Sequence, residues 1–268
     1  MKRDLKVDVL QSDTYTIKPM IMRPHKFFPN APIKEALVDI RVNLPSETNL
    51  ETLAKFQDHI KNNFPIKEER LSFNGGVQIK PGSAPEIVGP TGGVDGYLFR
   101  TNDGKKIVQA RMDGFTFNQL KPYDRWETFS AEAKSLWEIY VKVAKPNNVT
   151  RLALRYINQI EIPLPIKQFK EFILTVPDLA EGIPDGIEKF FMQLIVPDDD
   201  RKNTAIITET MESIEKGFLP FIFDIDAYRE ISLDPNSPEI WDVLDSLRNF
   251  KNRIFLNSIT PKCEEIFK

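Results

Sequence analysis

Three residues at alternate positions of one run, Gln109, Arg111 and Asp113, can act together on a ligand if that run is a strand. Successive strand side chains point to opposite faces and alternate ones share a face. Val108, Ala110 and Met112 then form the other side. The same alternation sets Arg151 and Arg155 against Leu152, Leu154 and Tyr156, and Asp224 and Asp226 against Phe221, Phe223 and Ile225. Near the start of the chain it sets Glu35, Asp39 and Arg41 opposite an apolar face.

Three kinds of chemistry fit these charged faces. The plainest is a lattice of cross-strand ion pairs on a solvated or partner-facing sheet, each pair contributing a fraction of a kcal/mol. The second is an anion groove in which Arg111 and Arg155 hold a phosphate or carboxylate, since a guanidinium is a planar fork of donors. The third is a centre for Mg²⁺ or Mn²⁺ built from Asp113, Asp224 and Asp226, because hard divalent cations take oxygen ligands. The ligand-binding set this reading names is Gln109, Arg111, Asp113, Arg155, Asp224 and Asp226; no catalytic residue and no cofactor is favoured, the metal set being the alternative.

The elements that must position these residues follow from hydrophobic period. Residues 33–44 alternate as a half-buried strand, and 50–64 recur at helical spacing behind a cap at Ser46 or Asn49. Strand pattern returns at 70–79, broken by Asn74, Gly75 and Gly76, and 81–96 is a loop rich in glycine and proline. Residues 97–100 and 106–118 form a hairpin about Asn102-Asp103-Gly104, whose Asp-Gly pair suits the positive φ such turns need. Phe115 and Phe117 break the alternation of that second strand, which a bulge at Gly114 explains. A long amphipathic helix starts at Trp126. Beyond it come a strand at 150–162, a short helix at 166–176, strands at 189–197 and 203–211 about the turn 198–201, a strand at 218–228 and a helix at 238–255.

The chain therefore reads as α+β: a leader at 1–30 and two similar β-α-β-β-β-α halves, 31–148 and 149–268, with mostly antiparallel sheets and the helices packed on one face. An internal duplication accounts for the repeated order, and so does chance alternation in an α+β chain.

Composition narrows the functions. With 268 residues, 41% of them hydrophobic, the chain can bury an ordinary core. A net charge of −3 gives no overall pull toward nucleic acid or an anionic membrane. One cysteine, Cys263, excludes an intrachain disulfide framework, and two histidines, His25 and His59, leave little for His-based metal or acid/base schemes. The glycine run 89–96 lacks the Gly-Lys-Ser/Thr of a phosphate loop. Arg248, Lys251 and Arg253, interleaved with Phe250 and Phe255, read either as a nucleic-acid strip or, more simply, as cations complementing a helix C-terminus. Neither Ser130 nor Ser258 sits in a nucleophile elbow, and Tyr123 and Trp126 read as packing residues with a satisfied polar tip. No signal-like start and no apolar run of roughly 20 residues is present, so a cytoplasmic protein is expected.

Five blocks, NAPIKEALVDIRV (30–42), QARMDGFTFNQLKPYDRW (109–126), RLALRYINQIEIP (151–163), FDIDAY (223–228) and LRNFKNRIFLNSIT (247–260), resemble the pattern of a sporadically distributed, uncharacterised prokaryotic protein family. The resemblance spans nearly the whole chain after the leader and implies no activity or catalytic residues; a patchy distribution implies accessory or defence-type loci. The function expected is a non-catalytic binding protein that uses its charged sheet face for a partner protein, for itself as a homo-oligomer, or for a small anionic ligand. A metal-dependent hydrolase or nuclease is the alternative.

Overall fold

The alternation of Ala36, Val38, Ile40 and Val42 with polar residues produces β1 (Ile33–Asn43), and those four side chains are buried. Described in this computed structural model are residues 26–78, 86–182 and 187–268. The expected leader therefore lies mostly outside the described residues; at its end Phe28 meets the Phe267 ring edge-on at 5.4 Å.

Asn49 caps the next helix by accepting from the Thr52 amide, but the helix runs as two short pieces, α1 (Leu50–Ala54) and α2 (Phe56–Ile60), divided at Lys55. Leu53, Phe56 and Ile60 are buried at the spacing the sequence shows. β2 (Ile66–Gln78) and β3 (Glu86–Arg100) then pair along their length. The stretch 89–96, read from sequence as loop, is thus strand. Its glycines do not prevent a ladder because backbone groups make it, and at Gly96 only a glycine fits: a Cβ would lie 2.3 Å from the Ala110 carbonyl oxygen.

The expected hairpin about Gly104 forms, with φ +68° at that glycine, and joins β3 to β4 (Lys106–Arg111). The expected single strand 106–118 does not. The chain reverses at Met112 and Asp113, and β5 (Gly114–Leu120) returns against β4. Reversal, not a bulge, explains the shift of phase: Phe115 pairs with Ala110 and Phe117 with Val108, so all four face the core.

After α3 (Trp126–Ala144) the second half runs β6 (Asn148–Pro163), β7 (Phe191–Pro197), β8 (Thr204–Met211), β9 (Phe218–Leu233), α4 (Glu239–Ser258) and a final turn, α5 (Pro261–Glu264). The helix expected at 166–176 is reduced to one 3₁₀ turn at Phe169–Glu171, although Phe172 and Ile173 are buried as the pattern requires. Prolines at 165 and 177 leave little room for a longer helix between them.

The nine strands among the described residues form one antiparallel sheet in the order β2-β3-β4-β5-β1-β6-β9-β8-β7. From β3 to β7 the order is symmetric about the β1/β6 pair: each first strand is followed outward by the last, the middle and the earlier strand of its meander. The first half has one strand more, β2, so the two halves are not identical in content. α1 packs on β3, α3 on β5 and α4 on β6 and β9. Those helices cover the face that carries Phe115, Phe117, Leu154, Phe221 and Phe223, with Phe117 stacked on Phe129 at 5.2 Å and Phe223 on Phe255 at 5.8 Å. The architecture is mixed α and β, as expected. No helix among the described residues is long and apolar enough to cross a membrane.

Candidate functional site

Two places are candidates for a functional site: the polar face of the sheet, where the sequence points, and a pocket on the opposite side, where it does not.

On the polar face the hub is Asp39, in the middle of β1 between Thr116 of β5 and Ala153 of β6. Its Oδ2 accepts from Arg111 Nη2 at 2.7 Å and from Thr116 Oγ1 at 2.8 Å, and its Oδ1 accepts from Arg41 Nε at 2.9 Å. Arg151 Nη1 stands 3.5 Å from the same Oδ1. Burial by itself would raise the Asp39 pKa, but Arg111, Arg41 and the hydrogen bonds outweigh it and hold the carboxyl below its usual range. Burial likewise lowers Arg111, against Asp39, from a value so high that the cation persists.

The six residues singled out from sequence are drawn into this lattice by pairs. Arg111 lies between Asp39 and Asp113, its Nε 3.0 Å from Asp113 Oδ1, although no acceptor is aligned with that buried N–H. Asp113 sits on the β4–β5 turn, also accepts from Arg41, and is half exposed rather than ranked along the strand with Gln109 and Arg111. Gln109 accepts from Arg70 Nε at 3.1 Å and donates to Asn118 at 3.2 Å. Arg155 grips Asp224 through Nε at 2.9 and 3.1 Å to the two carboxylate oxygens, with Nη2 on Oδ2 as well. That bond to Asp224 raises the Arg155 pKa. Asp226 accepts from Arg151 Nη2 at 3.2 Å; burial raises its pKa despite Arg151 and Arg155. Among the described residues no group of three or more His, Cys, Asp or Glu side chains is placed to hold a metal ion, so Asp113, Asp224 and Asp226 do not come together as one ligand set.

Behind the sheet lies a pocket of about 290 Å³ between the start of α3, the middle of α4 and the first described residues. Phe28, Trp126, Tyr156 and Phe255 contribute to its walls. Tyr123 and Tyr156 share a hydroxyl hydrogen bond of 2.7 Å, and Trp126 Nε1 donates to Asp245 at 2.6 Å. Their polar tips are thus satisfied locally, in keeping with the packing role read from sequence. Burial pushes Tyr123 up to about 12.

Lys251 is the exception in this pocket. It is 8% exposed, its Nζ lies 3.5 Å from the Tyr156 ring centroid, and among the described residues it makes no ion pair or hydrogen bond. Burial, helped by Arg248, pulls its pKa down to about 7. The sequence reading grouped Lys251 with Arg248 and Arg253 at a helix end. Its spacing says otherwise: Ile240, Leu244, Leu247 and Lys251 stand at i, i+4, i+7 and i+11, one apolar stripe that carries the lysine inward.

No protein-family model matches the chain, and no curated protein matches it in sequence.

Proposed function

We propose that this is a non-catalytic recognition protein that docks a partner protein on the polar face of its sheet. The observation that carries the reading is the Asp39 lattice: charges already paired into a fixed pattern suit a large complementary surface better than a small ligand, which needs converging unpaired groups. An apolar anchor adjoins it. The register puts Ile195 of the edge strand β7 in one row with Ile206, Asp226 and Arg155, and Ile195 is 66% and Phe191 70% exposed. A second copy of the chain is one partner of this chemistry. The symmetric strand order supports, as part of the same reading, descent of the two halves from an internal duplication, and the patchy family resemblance suits an accessory role in the cytoplasm.

The test is differential capture from the native cell. Proteins retained by the wild type should be lost with Ile195→Asp and weakened with Arg155→Ala, both variants keeping native circular dichroism; light scattering on Asp224→Lys reports self-association. If the two variants retain every partner and Asp224→Lys leaves the assembly unchanged, the proposal fails.

A further inference from the structure

A buried ammonium with no counter-charge costs several kcal/mol unless it gives up its proton or gains an anion. Among the described residues Lys251 is in that position: its nitrogen lies 3.5 Å from the Tyr156 ring centroid, and both residues line the pocket. The walls contributed by Phe28, Trp126, Tyr156 and Phe255 are flat and apolar, and Arg248 adds a second cation at the rim, 5.7 Å over the Trp126 ring and 3.8 Å from Glu127. The volume falls at the lower end of the range for small-molecule sites.

We infer that this pocket binds a small monoanion with a flat apolar body, such as an aromatic carboxylate, whose charge rests on Lys251 while its body lies among the aromatic walls. The anion supplies the counter-charge that Lys251 lacks, and the rings supply contact that a hydrated inorganic ion would not use. This site lies on the helix side of the sheet and stands apart from the partner-docking reading, so either can fail alone.

Calorimetric titration with 1-naphthoate and its neutral isostere 1-naphthamide tests it. The wild type should prefer the carboxylate by about tenfold or more, the scale of one charge-assisted hydrogen bond. Lys251→Met should abolish that preference without lowering the melting temperature, since it replaces an uncompensated charge by an apolar chain of similar length. Ala31→Trp, in irregular backbone at the pocket wall, should remove binding of both compounds. Failure of the wild type to bind naphthoate, no preference for it over the amide, or a preference that survives in Lys251→Met would each overturn the inference. Should Lys251→Met not fold, the wild-type preference and its loss in Ala31→Trp decide.

Discussion

Asp39 and Glu209 are both carboxylates buried against the same sheet, one on each face. Asp39 is surrounded by Arg111, Arg41 and Arg151 and is held below the usual carboxylate range. Glu209, on the helix face of β8 opposite Phe223, is fully buried, neither of its oxygens meets a hydrogen-bond donor among the described residues, and burial alone pushes it up to about 8. Lys251 belongs with Glu209: burial drives it too toward its neutral form. Burial therefore does not set the charge state here; the availability of a partner does. On the polar face strands far apart in sequence supply opposite charges at alternate positions, and on the helix face the neighbours are rings and aliphatic chains.

The contrast can be broken most severely at Asp39. Asp39→Ala should cost about 3–5 kcal/mol in urea unfolding, because Arg111 is left buried with only the turn residue Asp113 to face it. Asp39→Ala with Arg111→Met should cost clearly less than the two single changes added together, and strict additivity would show that the pair is not coupled.

Glu209 should give the next largest effect, and of opposite sign with pH. Its folded pKa lies above the unfolded value of 4.5, so the folded state holds a proton that the unfolded chain has lost. Stability from this group is present below about 4.5 and declines as pH rises toward 8; Glu209→Gln should flatten that decline, by on the order of 2–4 kcal/mol between pH 5 and pH 8. Asp39, whose folded pKa is lowered from 3.8, stabilises above that value and loses its contribution as pH falls below it. Thermal melts across this range, wild type against Glu209→Gln, check the sign.

The smallest effect separates the centre of the polar face from its rim. Arg100 and Glu68 pair at 2.9 Å with about a third and a half of their side chains exposed, and Arg100→Ala should cost about 0.2–1 kcal/mol, falling with added salt. A cost as large as that at Asp39 would mean that burial does not distinguish the two positions.

Local period told which side chains face which way. In β1 the alternation of Ala36, Val38, Ile40 and Val42 with Glu35, Asp39 and Arg41 survives unchanged in the fold, as does the start of the long helix at Trp126. The same rule was blind to a reversal: Phe115 and Phe117 looked like a slip of phase along one strand, whereas two antiparallel strands meet at the Met112-Asp113 turn. Glycines at 89–96 weakened the strand signal there because a glycine has no side chain to alternate, yet its backbone still pairs.

What the sequence by itself determined, then, is the inventory of faces: an apolar side for the helices and a charged side that includes Arg111, Arg155, Asp224 and Asp226. Only the tertiary structure decided the partners. Asp39 became the hub because β1 is flanked by β5 and β6, which bring Arg111 and Arg151 to it from far along the chain. Among the described residues Lys251 and Glu209 were left without counter-charges because of what packs around them. Periodicity is a property of neighbours along the chain, whereas ion pairing and desolvation depend on neighbours across space, which strand order and register assign.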